Sequence, residues 1–173
     1  MPFLGRIVTT SNLVTTDTLI IQDAWQHLHI RGFIAGCSGA GVARILVGSA
    51  SVDVAGNYAS SIFETATNNA TSVSAAGWPV AVGTTTGARF FIADIYNAAA
   101  TVKRMIGASN SVSVAAVTAP IQARMVGIWV DTTNQIKMIN LANFDGLTGT
   151  TKSANTLTSG TQFYVWGHND DGG

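Results

Sequence analysis

His27 and His29 stand two residues apart. Two apart on a strand places both imidazoles on one face, where they could supply two ligands to a metal ion. No neighbouring residue offers a third ligand, so the pair reads as strand residues at a surface or between subunits. Cys37, in the run GCSGAG at 36–41, superficially matches a nucleophile on a glycine-rich turn or a phosphate-binding loop. A nucleophile needs a base held by a third group, and a phosphate loop needs a strand-to-helix context with a Lys-Ser/Thr ending. Neither is present, and Cys37 reads as a small buried or loop thiol. Glu64 is the only glutamate, with no second acid placed beside it for glycoside cleavage. Asn143, Asp145 and Gly146 match part of a calcium loop whose later acidic ligands are missing, and read as a turn. Asp170 and Asp171 read as a solvated tail. With one cysteine, an internal disulfide and a cysteine-rich zinc site are both excluded. No catalytic, cofactor-binding or metal residue is assigned, no cofactor is expected, and the chain is not expected to be an enzyme.

Seven larger aromatics, Trp25, Trp78, Trp129, Trp166, Tyr58, Tyr96 and Tyr164, could form a sugar-binding platform if several faced outward together. More often such side chains anchor a sandwich core or a subunit interface, and that reading is preferred.

The elements that would carry these residues are strands. From Trp25 the chain alternates Trp25, His27, His29, Arg31, Phe33 against Gln26, Leu28, Ile30, Gly32, Ile34, a period of two. VARILVG at 42–48 is a second strand. ASVDVAGNYAS at 50–60 predicts a third, ending in a turn at Gly56-Asn57. The stretch 60–88 is rich in β-branched residues, Asn and Ser, which favours short strands and loops over helix. ARFFIADIYN at 88–97 predicts a strand with Phe90, Ile92, Asp94 and Tyr96 on one face and Arg89, Phe91, Ala93 and Ile95 on the core face. Further short strands are expected at 101–108, 112–117, 122–130, 135–141 and 162–167, with Asp131-Thr132-Thr133-Asn134 as a hairpin turn between two of them. The longest structureless stretch, 143–160, is expected to be functional or held by a neighbour. Even spacing of strands and turns is the signature of a sandwich or barrel. The fold class expected is all-β, an antiparallel β-sandwich of about eight to ten strands, of jelly-roll type. Residues 1–22, with neither helical stripe nor long alternation, are expected to form an extended N-terminal arm, either tied down by a partner subunit or a frayed terminus with an edge strand, and 23–173 a single domain.

Of the 173 residues, 47% are hydrophobic and only 10% charged, against roughly 25% charged in an ordinary soluble domain. Net charge is zero, and Lys103-Arg104 is the only adjacent basic pair, so no basic stripe exists to follow phosphates. Nucleic acid is not an expected partner. Nor is a membrane, because no stretch approaches the ~18 apolar residues of a span. The N-terminus lacks a signal-peptide pattern, which predicts synthesis in a cytosol without export by that route. Sparse, balanced charge suggests surfaces covered by neighbours, and an oligomer is expected.

The segments FFIADIYN (90–97), MVGIWVDTTNQIKMINL (125–141) and SGTQFYVWGHN (159–169) resemble those of a group of bacteriophage virion proteins with a jelly-roll domain. ARILVGSASVDVAGNYAS (43–60) is similar to the same group's strand, turn and Tyr segment, departing from it in the Val-Ala before Gly56. The resemblance runs through residues 25–169 and rests on packing and turn residues. It implies a homotrimer on a virion, made in the host cytoplasm: a capsid decoration or cement protein bound to the major capsid protein, or a tail or fibre module binding the host surface. It supplies no catalytic residues. A carbohydrate-binding, lectin-like domain is the further alternative, on the Trp and Tyr content.

Overall fold

The computed structural model describes residues 1–39, 41–64, 70–80, 87–111, 121–146 and 150–170. Its strands are β1 (Phe3–Val8), β2 (Leu19–Ile20), β3 (His27–Ile34), β4 (Val42–Gly48), β5 (Tyr58–Glu64), β6 (Ala70–Ala75), β7 (Trp78–Pro79), β8 (Arg89–Tyr96), β9 (Lys103–Ser111), β10 (Ile121–Trp129), β11 (Met138–Phe144) and β12 (Gln162–His168). All pair antiparallel, in an eight-stranded sheet ordered β1-β12-β3-β8-β9-β10-β5-β6 and a four-stranded sheet ordered β2-β11-β4-β7. The all-β antiparallel sandwich expected from the strand spacing is therefore found.

Alternation places the core. In β8, Arg89, Phe91, Ala93 and Ile95 are buried while Phe90, Ile92, Asp94 and Tyr96 are exposed, as the pattern of 88–97 predicts. Leu28, Ile30 and Ile34 of β3, Met125 and Trp129 of β10, and Phe163 and Val165 of β12 join them, facing Ala43, Ile45 and Val47 of β4 and Ile139 and Leu141 of β11. The near-continuous apolar run of β4 has a separate cause: both its faces are covered, the second by a smaller cluster of Leu46, Ala76, Ala142 and Phe144. Arg44 also lies buried in β4, its guanidinium 4.4 Å from the Phe144 ring and donating to the carbonyls of Ala76 and Gly146; burial lowers its pKa to about 10.

Polar side chains tie the two sheets together. The Tyr58 hydroxyl of β5 donates to the Val47 carbonyl of β4 at 2.7 Å and accepts from its N–H at 2.9 Å. The Trp78 indole N–H of β7 donates to the Ile128 carbonyl of β10 at 3.0 Å. Buried Asn97 donates to the carbonyls of Trp25 and Ile136 and accepts from the Ile136 N–H at 2.6 Å, joining three loops at one end.

Other expectations meet a finer or different arrangement, or none. Residues 50–57 are not a strand but a bridge at Val52 and a turn, because Asp53 accepts from the Ala55 N–H, the Asn57 amide and the Trp129 indole, which curls the backbone round its carboxylate. The strand begins at Tyr58 instead. Residues 1–22 lie against their own domain: β1 pairs with β12, β2 with β11, and Leu13 and Thr15 bridge to Leu157 and Ala142. Leu19 and Ile21 reach the core, so removing this segment opens edges of both sheets. The strand expected at 112–117 lies outside the described residues. Of the stretch 143–160, the described part is held by its own chain, with Leu157 fully buried and bridged to Leu13 and Cys37.

Candidate functional site

The outward face of the large sheet gathers what chemistry the chain has. Antiparallel register sets residues of different strands in rows across this face. One row runs His168, His27, Tyr96, Arg104, Ile128; the next runs Phe3, Trp166, His29, Asp94, Ile106, Val126; a third runs Tyr164, Arg31, Ile92, Ala108, Arg124, Phe63. The histidines and outer aromatics thus gather on β12 and β3, with Asp94 and Tyr96 of β8 beside them, while β8, β9, β10 and β5 carry most of the exposed aliphatic side chains, with Arg104 and Arg124 among them.

On the polar side the strand reading of His27 and His29 holds, since both project from one face of β3. What sequence spacing missed is their company. His168 stands directly opposite His27 across the β3–β12 pair, its ring stacked on that of His27 with centroids 4.4 Å apart and planes 7° apart. His29 Nε2 lies 3.1 Å from His168 Nδ1, and His29 Nδ1 lies 2.5 Å from the Asp94 carboxylate on β8. The supposed solvated tail also returns to the site, bringing Asp170 within 2.9 Å of His27 Nε2. Gln26 pins this tail from two sides, its N–H donating to the Asn169 side chain at 2.9 Å and its Oε1 accepting from the Asp170 N–H at 2.6 Å. The His168 imidazole titrates below its ordinary value, first because it is desolvated and then because His27 and His29 stand beside it. Three histidines and two carboxylates so arranged can bind a cation or pass a proton. The partners of His29 are an acid and a histidine, not a nucleophile.

Beside this cluster a recess of about 580 Å³ is lined by His29, Arg31, Ile92, Asp94, Trp166 and Met1. Its aromatic wall continues outward, with the Tyr164 and Trp166 rings stacked at 6.1 Å and Phe3 at 5.7 Å from Trp166. Trp78 and Trp129, by contrast, are core residues, as most of the aromatics were expected to be.

The aliphatic side is unusual for a surface. Ile106 is 67% exposed, Phe90 63%, Phe63 57% and Ile92 50%, with Val126 and Ile128 beside them. A depression of about 530 Å³ runs over Ile106, Val126 and Ile128. Arg104 and Arg124 are exposed between these side chains, and a cluster of exposed large hydrophobics of this kind marks an interaction surface more often than a free one.

The remaining candidates separate from both sides. Cys37 is buried at the other end of β3; burial raises its thiol pKa, with Arg89 pulling the other way. A buried, protonated thiol is a poor nucleophile. Cys37 should therefore react with a thiol-specific reagent on the order of a hundredfold more slowly in the native protein than in urea; equal rates would place it at the surface. Asp145 ends β11 in a bend, where its N–H donates to the Thr151 carbonyl. Glu64 ends β5, far along the sheet from the histidines.

Comparison with protein-family models found no match to this chain, and comparison with curated proteins found none either.

Proposed function

We propose that the chain is a structural protein of a bacteriophage particle, a capsid decoration or cement protein that self-associates, as a homotrimer, and stiffens the shell from outside. The observation that carries this reading is the aliphatic half of the large sheet's outer face, which needs a cover. The zero net charge and 10% charged residues support it, because little repulsion opposes packing copies side by side. The family resemblance supplies the virion setting, the trimer and the major capsid protein as partner.

The mechanism is mechanical. Burying the Ile92, Ile106, Val126 and Phe63 rows between subunits contributes roughly 25 cal/mol per Å² before the costs of association. The oligomer so formed spans lattice junctions, and many repeated contacts resist shell rupture. No reacting group is required, and the protein is read as non-catalytic.

A second reading has its own observation. The recess lined by Trp166, Arg31, Asp94 and His29 combines an aromatic wall with charged hydrogen-bonding groups, the composition of a sugar site on a tail or fibre module or a lectin. Co-sedimentation separates the two. Purified protein added to phage heads lacking it should pellet with them, saturate at a fixed ratio and raise the temperature at which the heads release DNA. Protein that stays in the supernatant but is retained on host-surface polysaccharide would favour the second reading and overturn the first.

A further inference from the structure

We propose that His27, His168 and Asp170 form a binding site for a divalent transition-metal ion of the zinc class, with His29 and Asp94 as positioning residues behind it. The ligand atoms of the three lie within 4.8 Å of one another. Tetrahedral zinc, with bonds of about 2.0–2.1 Å, wants its ligand atoms roughly 3.3 Å apart. Asp170 already stands 2.9 Å from His27 Nε2, so the contraction needed is a side-chain adjustment that brings His168 in to the other two.

Three features distinguish this arrangement from acids and histidines that merely share a surface. The two imidazoles are set opposite one another by strand register, on a rigid sheet rather than on loops, and rotation of the side chains turns the stacked rings so that their in-plane lone pairs converge on one ion. The tail that carries Asp170 is anchored by Gln26, so its carboxylate is held at the rings. The third feature is a chain of orientation. Asp94 accepts the Nδ1 proton of His29, which leaves His29 Nε2 as an acceptor; it takes the Nδ1 proton of His168, and the lone pair of His168 then falls on Nε2, available to a metal. Carboxylate-to-histidine contacts of this type fix the tautomer of metal ligands.

Ligand chemistry chooses the ion. Two imidazoles and one carboxylate suit zinc, nickel, cobalt or copper, whereas calcium and magnesium want a shell of oxygens. Three protein ligands leave one position of a tetrahedron for water or an exogenous group. All three belong to one chain, so the site does not depend on the assembly proposed above.

The test is calorimetric titration of the untagged, chelator-treated chain with zinc chloride, and with calcium chloride in parallel. One zinc ion per chain at about micromolar affinity or tighter, with no calcium binding, is expected. His168→Gln and Asp170→Asn should each weaken zinc at least about thirtyfold. Asp94→Asn should weaken it about tenfold through His29. All three variants should keep the wild-type urea midpoint without metal, since the side chains lie on the outer face. No zinc heat, equal affinity for calcium, or variants that bind zinc like wild type would each overturn the assignment.

Discussion

Ile106→Lys is expected to take the assembled protein apart, weakening self-association on the order of a hundredfold while leaving the subunit folded. Ile106 is the most exposed residue of the aliphatic rows, with Asp94 and Val126 as its register partners on either side. In the free subunit a lysine there meets water and the Asp94 carboxylate, and surface substitutions of this kind change stability by about 0.5 kcal/mol or less. Between subunits the same ammonium must lose its hydration, at several kcal/mol in each copy. Central apolar contacts are where truncations and charges cost most in an interface. Sedimentation equilibrium at micromolar concentration reads the outcome: an oligomer for wild type and a 17.9 kDa species for the variant. An assembly of unchanged mass would show that this face is not the one buried between subunits.

Trp78→Ala should be the most damaging single truncation to the fold, costing about 3–5 kcal/mol. Trp78 is fully buried in the two-residue strand β7, where it pairs with Ile45. Its indole crosses the core, meets Tyr58 edge-on at 5.5 Å and donates to the Ile128 carbonyl of the opposite sheet. Gly127 is shaped to it, since a Cβ there would come within 2.5 Å of the indole ring. Truncation therefore leaves a cavity and removes an inter-sheet hydrogen bond together. Trp78→Phe keeps most of the volume and should cost about half as much. Urea unfolding followed by circular dichroism measures both, and a midpoint for Trp78→Ala matching wild type would mean the two sheets are held elsewhere.

What was legible beforehand, and what was not, divides along sequence distance. Period-two alternation depends only on neighbours, so the two faces of 89–96 and the projection of His27 and His29 could be read directly. The Asp131 turn was legible for the same reason: Asp131 bonds the N–H groups of Thr133 and Asn134, two and three residues on. It does not close a hairpin, however, but carries the chain from β10 in one sheet to β11 in the other. Val52 and Val54 alternate like a strand, yet the chain curls from Asp53 on, because the indole that helps hold Asp53 in place comes from Trp129, 76 residues away. The histidine cluster was hidden more deeply. His168 meets His27 only through the register of β3 with β12, and Asp94 meets His29 only through that of β3 with β8. One signal was available: YVWGH alternates, putting Tyr164, Trp166 and His168 on one face, a second strand bearing both a histidine and aromatics. Which strand it paired with is set by tertiary packing rather than by local pattern.

In the proposals above the aliphatic residues would carry the assembly and the histidine cluster a metal ion, and each can fail without the other. If the protein covers a phage head, its copy number relative to the major capsid protein in purified particles, by quantitative mass spectrometry, will show it. Hundreds of copies per particle, in a simple ratio to the capsid protein, are expected. A few copies would move the protein to the tail or a fibre, and its absence from the particle would contradict the account.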